Sequence, residues 1–174
     1  SKDKEIALLI YFSSIIEYIK YIFMHSAKSY ISYFRSLIKT AFNMFKDKPI
    51  LGHGPRMFRV ICKNEKYQVG IRPCDTHPHN FYAQLLAETG IIGFLFLFSS
   101  FFYVLYCGFM QLKSILFKQK RFLTDYQVCL LAGILITVWP FSPNGNFFHN
   151  WLMITYSLPV GFYLQSIYTK KKLI

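Results

Sequence analysis

Residues 74 to 98 read CDTHPHNFYAQLLAETGIIGFLFLF, and they open with His77, Pro78, His79 and Asn80. An imidazole has an unperturbed pKa near 6.5, which suits taking a proton from an alcohol at neutral pH. A proline between the two rings fixes the backbone there. The competing reading is structural: histidines at a membrane edge serve as polar caps, and Asn80 or Thr76 can cap the helix that follows. Spacing alone leaves both readings open. Glu88, nine residues after His79, is expected to face the interior of a bundle rather than lipid.

Two further groups carry chemistry-bearing side chains. In GHGPRMFR, residues 52 to 59, Gly52 and Gly54 lie in a turn followed by Arg56 and Arg59. Backbone amides of a glycine turn with guanidinium forks beside them suit a phosphate or diphosphate; a helix stop with solvated arginines is the plainer alternative. Cys62 and Cys74 stand 12 residues apart. In an oxidising compartment two such cysteines pair, closing a short loop worth about 3 kcal/mol in the chain-entropy model. A zinc site using Cys62, Cys74, His77 and His79 fits no standard spacing, so no metal is expected. Cys107 and Cys129 sit in apolar blocks as fillers. A second His-Asn pair, His149 and Asn150, follows SPNGN, where Phe147, Phe148 and Trp151 read first as interfacial aromatic anchors.

The elements that must position these residues are helical. The 174-residue chain is 53% hydrophobic, and the excess is gathered in four blocks: Ile6 to Met24, Gly90 to Met110, Val128 to Phe141 and Phe147 to Gln165. The second is free of charge and is long enough to cross a hydrocarbon core, which needs about 20 residues. Glu17 and Lys20 weaken the first, Pro140 ends the third, and the fourth contains Pro159 and Gly161. The expectation is an all-α polytopic membrane protein with about four spans, forming one membrane domain over residues 1–174. Basic linkers (Lys113, Lys118, Lys120 and Arg121; Lys170 to Lys172) place residues 113–125 in the cytoplasm by the positive-inside rule. Residues 25–89 and SPNGN then face outward, with the membrane helices in 90–165.

Inside the outer segment, SYFRSLIKTAFNMFKDKP reads as an amphipathic helix. Tyr33, Leu37, Ala41 and Met44 share one face, and Pro49 is the stop. Lys2 and Lys4 ahead of an apolar run imitate a signal peptide, but FMHSAKS is a poor cleavage site; a chain cut from a longer polytopic protein is the expectation. The net charge of +12, from 20 Lys and Arg against 8 Asp and Glu, points to an anionic partner. No zinc-finger spacing, RNA-binding signature or basic helix repeat accompanies it, so nucleic acid is not expected, and membrane lipids are.

The segments MFKDKPILGHGPRMFRVIC, CDTHPHNFYAQLLAETGIIGFLFLF and WPFSPNGNFFHNW together resemble the C-terminal portion of the O-antigen ligase and O-antigen polymerase-like family of bacterial membrane proteins. The likeness runs from about Phe34 to about Gly161. It is carried by H-x-H-N-x-Y-x-Q-x-x-x-E-x-G-x-x-G, preceded at a distance by G-x-G-P.

The resemblance implies a multi-pass enzyme of the bacterial inner membrane with its active site facing the periplasm. Its donor would be an undecaprenyl-diphosphate-linked glycan. Its acceptor would be a sugar hydroxyl on lipid A-core or on a growing glycan. No cofactor, metal or nucleotide is implied. His79 matches the family's periplasmic base, with His77 beside it. Arg35 lies near the position of the family's diphosphate-gripping arginine ahead of the large periplasmic loop; Arg56 and Arg59, candidates from this chain's own glycine-turn pattern, join it with Asn80 and Glu88 in the expected substrate-binding set. One departure is that SKDKEIALL, with Lys4 and Glu5, stands where an earlier functional arginine would be sought. Rival readings are a protein O-oligosaccharyltransferase and a truncated, non-catalytic membrane protein.

Overall fold

The structure, a computed structural model, describes the backbone of residues 2–172 and the side chains from Ser26 to Thr169, with Glu17, Lys20 and Met24 before them. Five α-helices account for the architecture, and there is no strand among the described residues. They are α1 (Lys2–Asp47), α2 (Phe58–Ile61), α3 (Phe81–Leu116), α4 (Asp125–Thr137) and α5 (Asn150–Lys172), with a 3-10 turn at Glu65–Tyr67.

The first apolar block and the amphipathic helix behind it form one continuous helix, α1. Its sequence holds neither Gly nor Pro over 46 residues, so nothing forces an end before Asp47, two residues ahead of Pro49. The side chains of most of Ile6 to Met24 lie outside the described residues, as do those of Lys170 to Lys172. Further along, Leu37, Ala41 and Met44 are fully buried, which is the face the three- and four-residue spacing selects.

α3 begins well before its charge-free run. Asn80 caps it, its Oδ1 accepting from the Ala83 amide at 3.0 Å. At Gly90 the backbone takes φ 65, ψ −159, a conformation reserved for glycine, and the helix breaks into two pieces. The second piece is the membrane candidate. Among the described residues α3 alone is both long and apolar enough to cross a bilayer. Past Gly90 one face of it packs inward through Leu97 and Cys107, and the other points outward: Ile92, Phe96, Phe109 and Leu116 are all more than half exposed. A surface of that kind fits lipid rather than water.

The four expected spans are therefore not all seen as such. α4 has 13 residues, about 20 Å of helix against a core of about 30 Å. A capping box opens it, with Thr124 Oγ1 accepting from the Gln127 amide and Gln127 Oε1 from the Thr124 amide. Trp139-Pro140 follows its end. α5 is continuous through Pro159 and holds too many polar residues to match α3.

Two apolar cores meet at Phe81–Thr89. One gathers Leu37, Ala41, Met44, Phe58, Cys62 and Tyr67 with Ala83 and Ala87. The other gathers Phe81, Tyr82 and Leu85 with Leu97, Leu131, Ile134 and Tyr163. The small residues Ala83 and Ala87, four apart, let α1 approach closely. The bulky ones hold α4 and α5.

Candidate functional site

Breaking a helix frees backbone groups that must find partners. At Gly90 the partners come from the glycine turn after α1. The His53 amide donates to the Ala87 carbonyl at 3.0 Å, the Gly54 amide to the Glu88 carbonyl at 2.8 Å, and the Ile91 amide to the Pro49 carbonyl at 2.8 Å. This contact explains two of the glycines. A Cβ on Gly52 would come within 2.4 Å of the Glu88 backbone, and one on Gly90 within 2.3 Å of the Ile50 carbonyl oxygen.

Glu88 lies under that turn, with no exposed surface. Its Oε1 accepts from the Phe58 amide at 2.7 Å and its Oε2 from Gln84 Nε2 at 2.8 Å. Both carboxylate oxygens are thus occupied from within the chain, and the carboxylate fixes the loop that presents Arg56 and Arg59. His53 is locked as well. Its side chain is 4% exposed, Nε2 lies 3.0 Å from the Met44 carbonyl, and the ring meets Tyr67 edge-on.

The second histidine loop is more open. His79 is one-third exposed, with Nε2 3.6 Å from Asp75 Oδ2. The Tyr33 hydroxyl, from α1, donates to the same Oδ2, and the Thr76 amide donates to Asp75 Oδ1 at 2.5 Å. The His77 and His79 rings stand 4.1 Å apart. His77 Nδ1 is 2.9 Å from the Thr76 hydroxyl, while its buried Nε2 makes no hydrogen bond among the described residues. Burial, and then the neighbouring His79, holds the His77 imidazole below its ordinary pKa. Burial pushes the Asp75 carboxyl up, but hydrogen bonds from Tyr33 and the Thr76 amide, with His79 nearby, outweigh it and leave it below its usual value. Burial and the bond to Asp75 push the Tyr33 phenol up to about 12, so it remains a hydrogen-bond donor at neutral pH.

His79 has φ 54, unusual for a residue with a Cβ. The turn between α4 and α5 helps to hold it there. The Asn144 amide donates to the His79 carbonyl at 2.9 Å, Asn80 Nδ2 to the Pro140 carbonyl at 2.7 Å, and Gln84 Nε2 to Asn146 Oδ1 at 2.9 Å. The SPNGN turn, expected on the same side as His79, packs directly on it. Cys62 and Cys74 are bonded, with Cα atoms 5.2 Å apart, and this tether ends at the residue before Asp75.

The stretch carrying both histidine loops and the Gly90 break is also the stretch that is shared with known proteins. The O-antigen ligase family matches residues 6–98, just over half of the chain. The chain belongs to the O-antigen ligase family. No curated protein and no solved structure matches it. The family is one of membrane proteins of the glycosyltransferase type, in keeping with the exposed apolar run of α3. Its match begins earlier than Phe34 and stops at Phe98, so α4, α5 and the SPNGN turn lie beyond it.

Within the stretch matched to the O-antigen ligase family, the structure brings His77, His79 and Asn80 to one end of α3. Asn80 is buried as cap and latch, and Glu88 is buried beneath the glycine turn. Arg35, Arg56 and Arg59 are exposed; Arg59 Nε reaches the Arg56 carbonyl at 3.4 Å. His149 and Asn150 are exposed at the start of α5. Three residues escaped sequence reasoning: Tyr33, Asp75 and Arg72. The carboxylate four positions before His79 is the local signal for Asp75. Nothing local points to Tyr33, which is 42 residues away from it. Arg72 is exposed and close enough to ease the rise of the Tyr33 phenol pKa.

Proposed function

We propose that the chain is part of a glycosyltransferase of the bacterial inner membrane, facing the periplasm, that moves a glycan from undecaprenyl diphosphate to a sugar hydroxyl. The sugar belongs to lipid A-core in a ligase or to a growing glycan in a polymerase. The observation that carries the reading is a partly exposed imidazole, His79, beside a carboxylate at the start of α3, one short helical piece ahead of the Gly90 break that opens the membrane candidate, inside the stretch matched to the family. Both substrates are lipid-anchored, so the reacting groups belong at headgroup depth. In the step proposed, the acceptor oxygen attacks the anomeric carbon and gives its proton to His79. The bond from that carbon to the diphosphate oxygen breaks, and the diphosphate leaves with the electron pair from the opposite face, inverting the centre. Charge grows on the leaving group, so the cations of Arg35, Arg56 and Arg59 favour the transition state over the ground state. An apolar cavity of about 760 Å³ between α3, α4 and α5 reaches Phe81 and Phe147 and suits an isoprenoid tail.

The test is His79→Ala in the native membrane, with glycan transfer to lipid A and to polymer read on gels. Transfer falls by about 10²–10⁴ while the protein stays in the membrane at its normal amount. Undiminished transfer would sink the assignment of His79 as base.

A further inference from the structure

We propose that Asp75 is a positioning residue for His79: clasped by Tyr33 from α1, its carboxylate keeps the proton of neutral His79 on Nε2 and leaves Nδ1 to accept the proton of the attacking hydroxyl. The proposal rests on the reading of His79 as the base.

A neutral imidazole carries one N–H and one lone pair, and the partner of one nitrogen decides which is which. Asp75 Oδ2 stands 3.6 Å from His79 Nε2. That is an ion-pair distance, longer than a hydrogen bond; catalytic hydrogen bonds commonly tighten only in the Michaelis complex. An ionised carboxylate accepts and does not donate, so the nitrogen facing it carries the proton. When Nδ1 takes the acceptor's proton, the ring becomes an imidazolium, and the nearby negative charge stabilises it. The proton later leaves Nδ1 for solvent, and no other bond changes at the protein.

Asp75 is itself held from three directions. The Tyr33 hydroxyl donates to the oxygen that faces His79, the Thr76 amide donates to the other, and the Cys62–Cys74 bond anchors the preceding residue. Cys62 Sγ lies 3.8 Å from the Asp75 carbonyl oxygen. A surface carboxylate that merely solvates the loop has no need of this clasp. The titratable and charged groups facing the pair are few. His77 comes from the loop itself, Tyr33 and, beside it, Tyr30 come from α1, and Arg72 lies beside Tyr33. The SPNGN turn contributes no titratable side chain.

The experiment compares Asp75→Asn, Asp75→Glu, Tyr33→Phe and His79→Ala in the full-length protein. Each is purified in detergent and supplied with undecaprenyl-diphosphate-linked glycan and acceptor glycolipid extracted from the producing cells. Asp75→Asn should lower kcat by about ten- to a hundredfold, the size of a lost hydrogen bond to a charged group, with KM for the donor changed by less than about twofold. Asp75→Glu should recover part of kcat, and Tyr33→Phe should lose several-fold while folding normally. If Asp75→Asn keeps wild-type kcat while His79→Ala is inactive, the positioning role is overturned and the base reading stands. If His79→Ala is active, the base reading falls, and this proposal with it.

Discussion

Two histidine loops lean on the same nine residues of α3, and they differ in how completely they are paired. The loop of His53 is closed. Its amides take the carbonyls freed at the Gly90 break, and its imidazole is buried against Met44 and Tyr67. The loop of His77 and His79 is held as firmly at its ends, by Asn80, Asn144 and the Cys62–Cys74 bond. Its imidazoles nevertheless remain under-paired, and His79 stays one-third exposed. A polar group whose bonds are all made inside the fold serves the fold. One held in place with a nitrogen to spare has capacity left for chemistry.

Exchanging the two histidines for alanine sharpens that contrast most. His79→Ala should cost about 10²–10⁴ in glycan transfer and leave unfolding within about 0.5 kcal/mol. His53→Ala should do the reverse. It removes a buried ring and its contact with the Met44 carbonyl, so it should destabilise by about 1–3 kcal/mol while transfer per folded molecule holds. Thermal unfolding in detergent beside the transfer assay reads both. Equal losses of activity per folded molecule would erase the distinction between the loops.

Gly52→Ala should break the closed loop next. A Cβ there meets Glu88 and Thr89 backbone at 2.4 and 2.5 Å, and the φ of 66 is strained for alanine. Backbone cannot step aside as a side chain can, so the expected loss is about 2–4 kcal/mol. Steady-state amount in the membrane and melting temperature should both fall. Gly108→Ala, with nothing within 4 Å of the added carbon, is the matched control and should leave both unchanged.

On the open side, Cys62→Ser should cost somewhat less, about 3 kcal/mol or under from the loop that the bond closes. Activity should fall more than stability alone accounts for, because the tether ends beside Asp75. Reduction of the wild type by dithiothreitol should mimic the substitution, and reoxidation should reverse it. A wild type indifferent to reduction would show that the open loop holds its shape without the bond.

Much of this arrangement was legible in the sequence where the cause is local. The spacing of Leu37, Ala41 and Met44 selects the buried face of α1, Pro49 sits just past its end, and Asn80 is a capping residue placed before a helical pattern. The glycine turn was legible as a turn, but not as the partner of a helix break 36 residues on, because that break exists only once the loop has docked. α3 starts at its Asn80 cap, before the break and the charge-free run that marks the membrane candidate. The convergence of Tyr33 and Asp75 on His79 is likewise tertiary. Among the described residues the composition blocks are not all seen as spans: α4 is apolar but has only 13 residues, since Thr124 caps one end and Trp139-Pro140 follows the other.

The smallest change separates two duties of one side chain at the hinge between loop and helix. Asn80 Oδ1 caps α3 through the Ala83 amide, and its Nδ2 ties the helix start to the Pro140 carbonyl. Serine keeps the capping oxygen but is too short to hold both partners. Asn80→Ser should therefore cost about 1 kcal/mol, the net value of one hydrogen bond, and Asn80→Ala about twice that, since the cap goes as well. Because His79 precedes Asn80 and holds a φ of 54, loosening the latch frees the imidazole to leave Asp75. Transfer should drop several-fold in Asn80→Ser, with Tm lowered by only a few degrees. An Asn80→Ser protein with normal transfer would mean that the cap alone sets the geometry of the histidine loop.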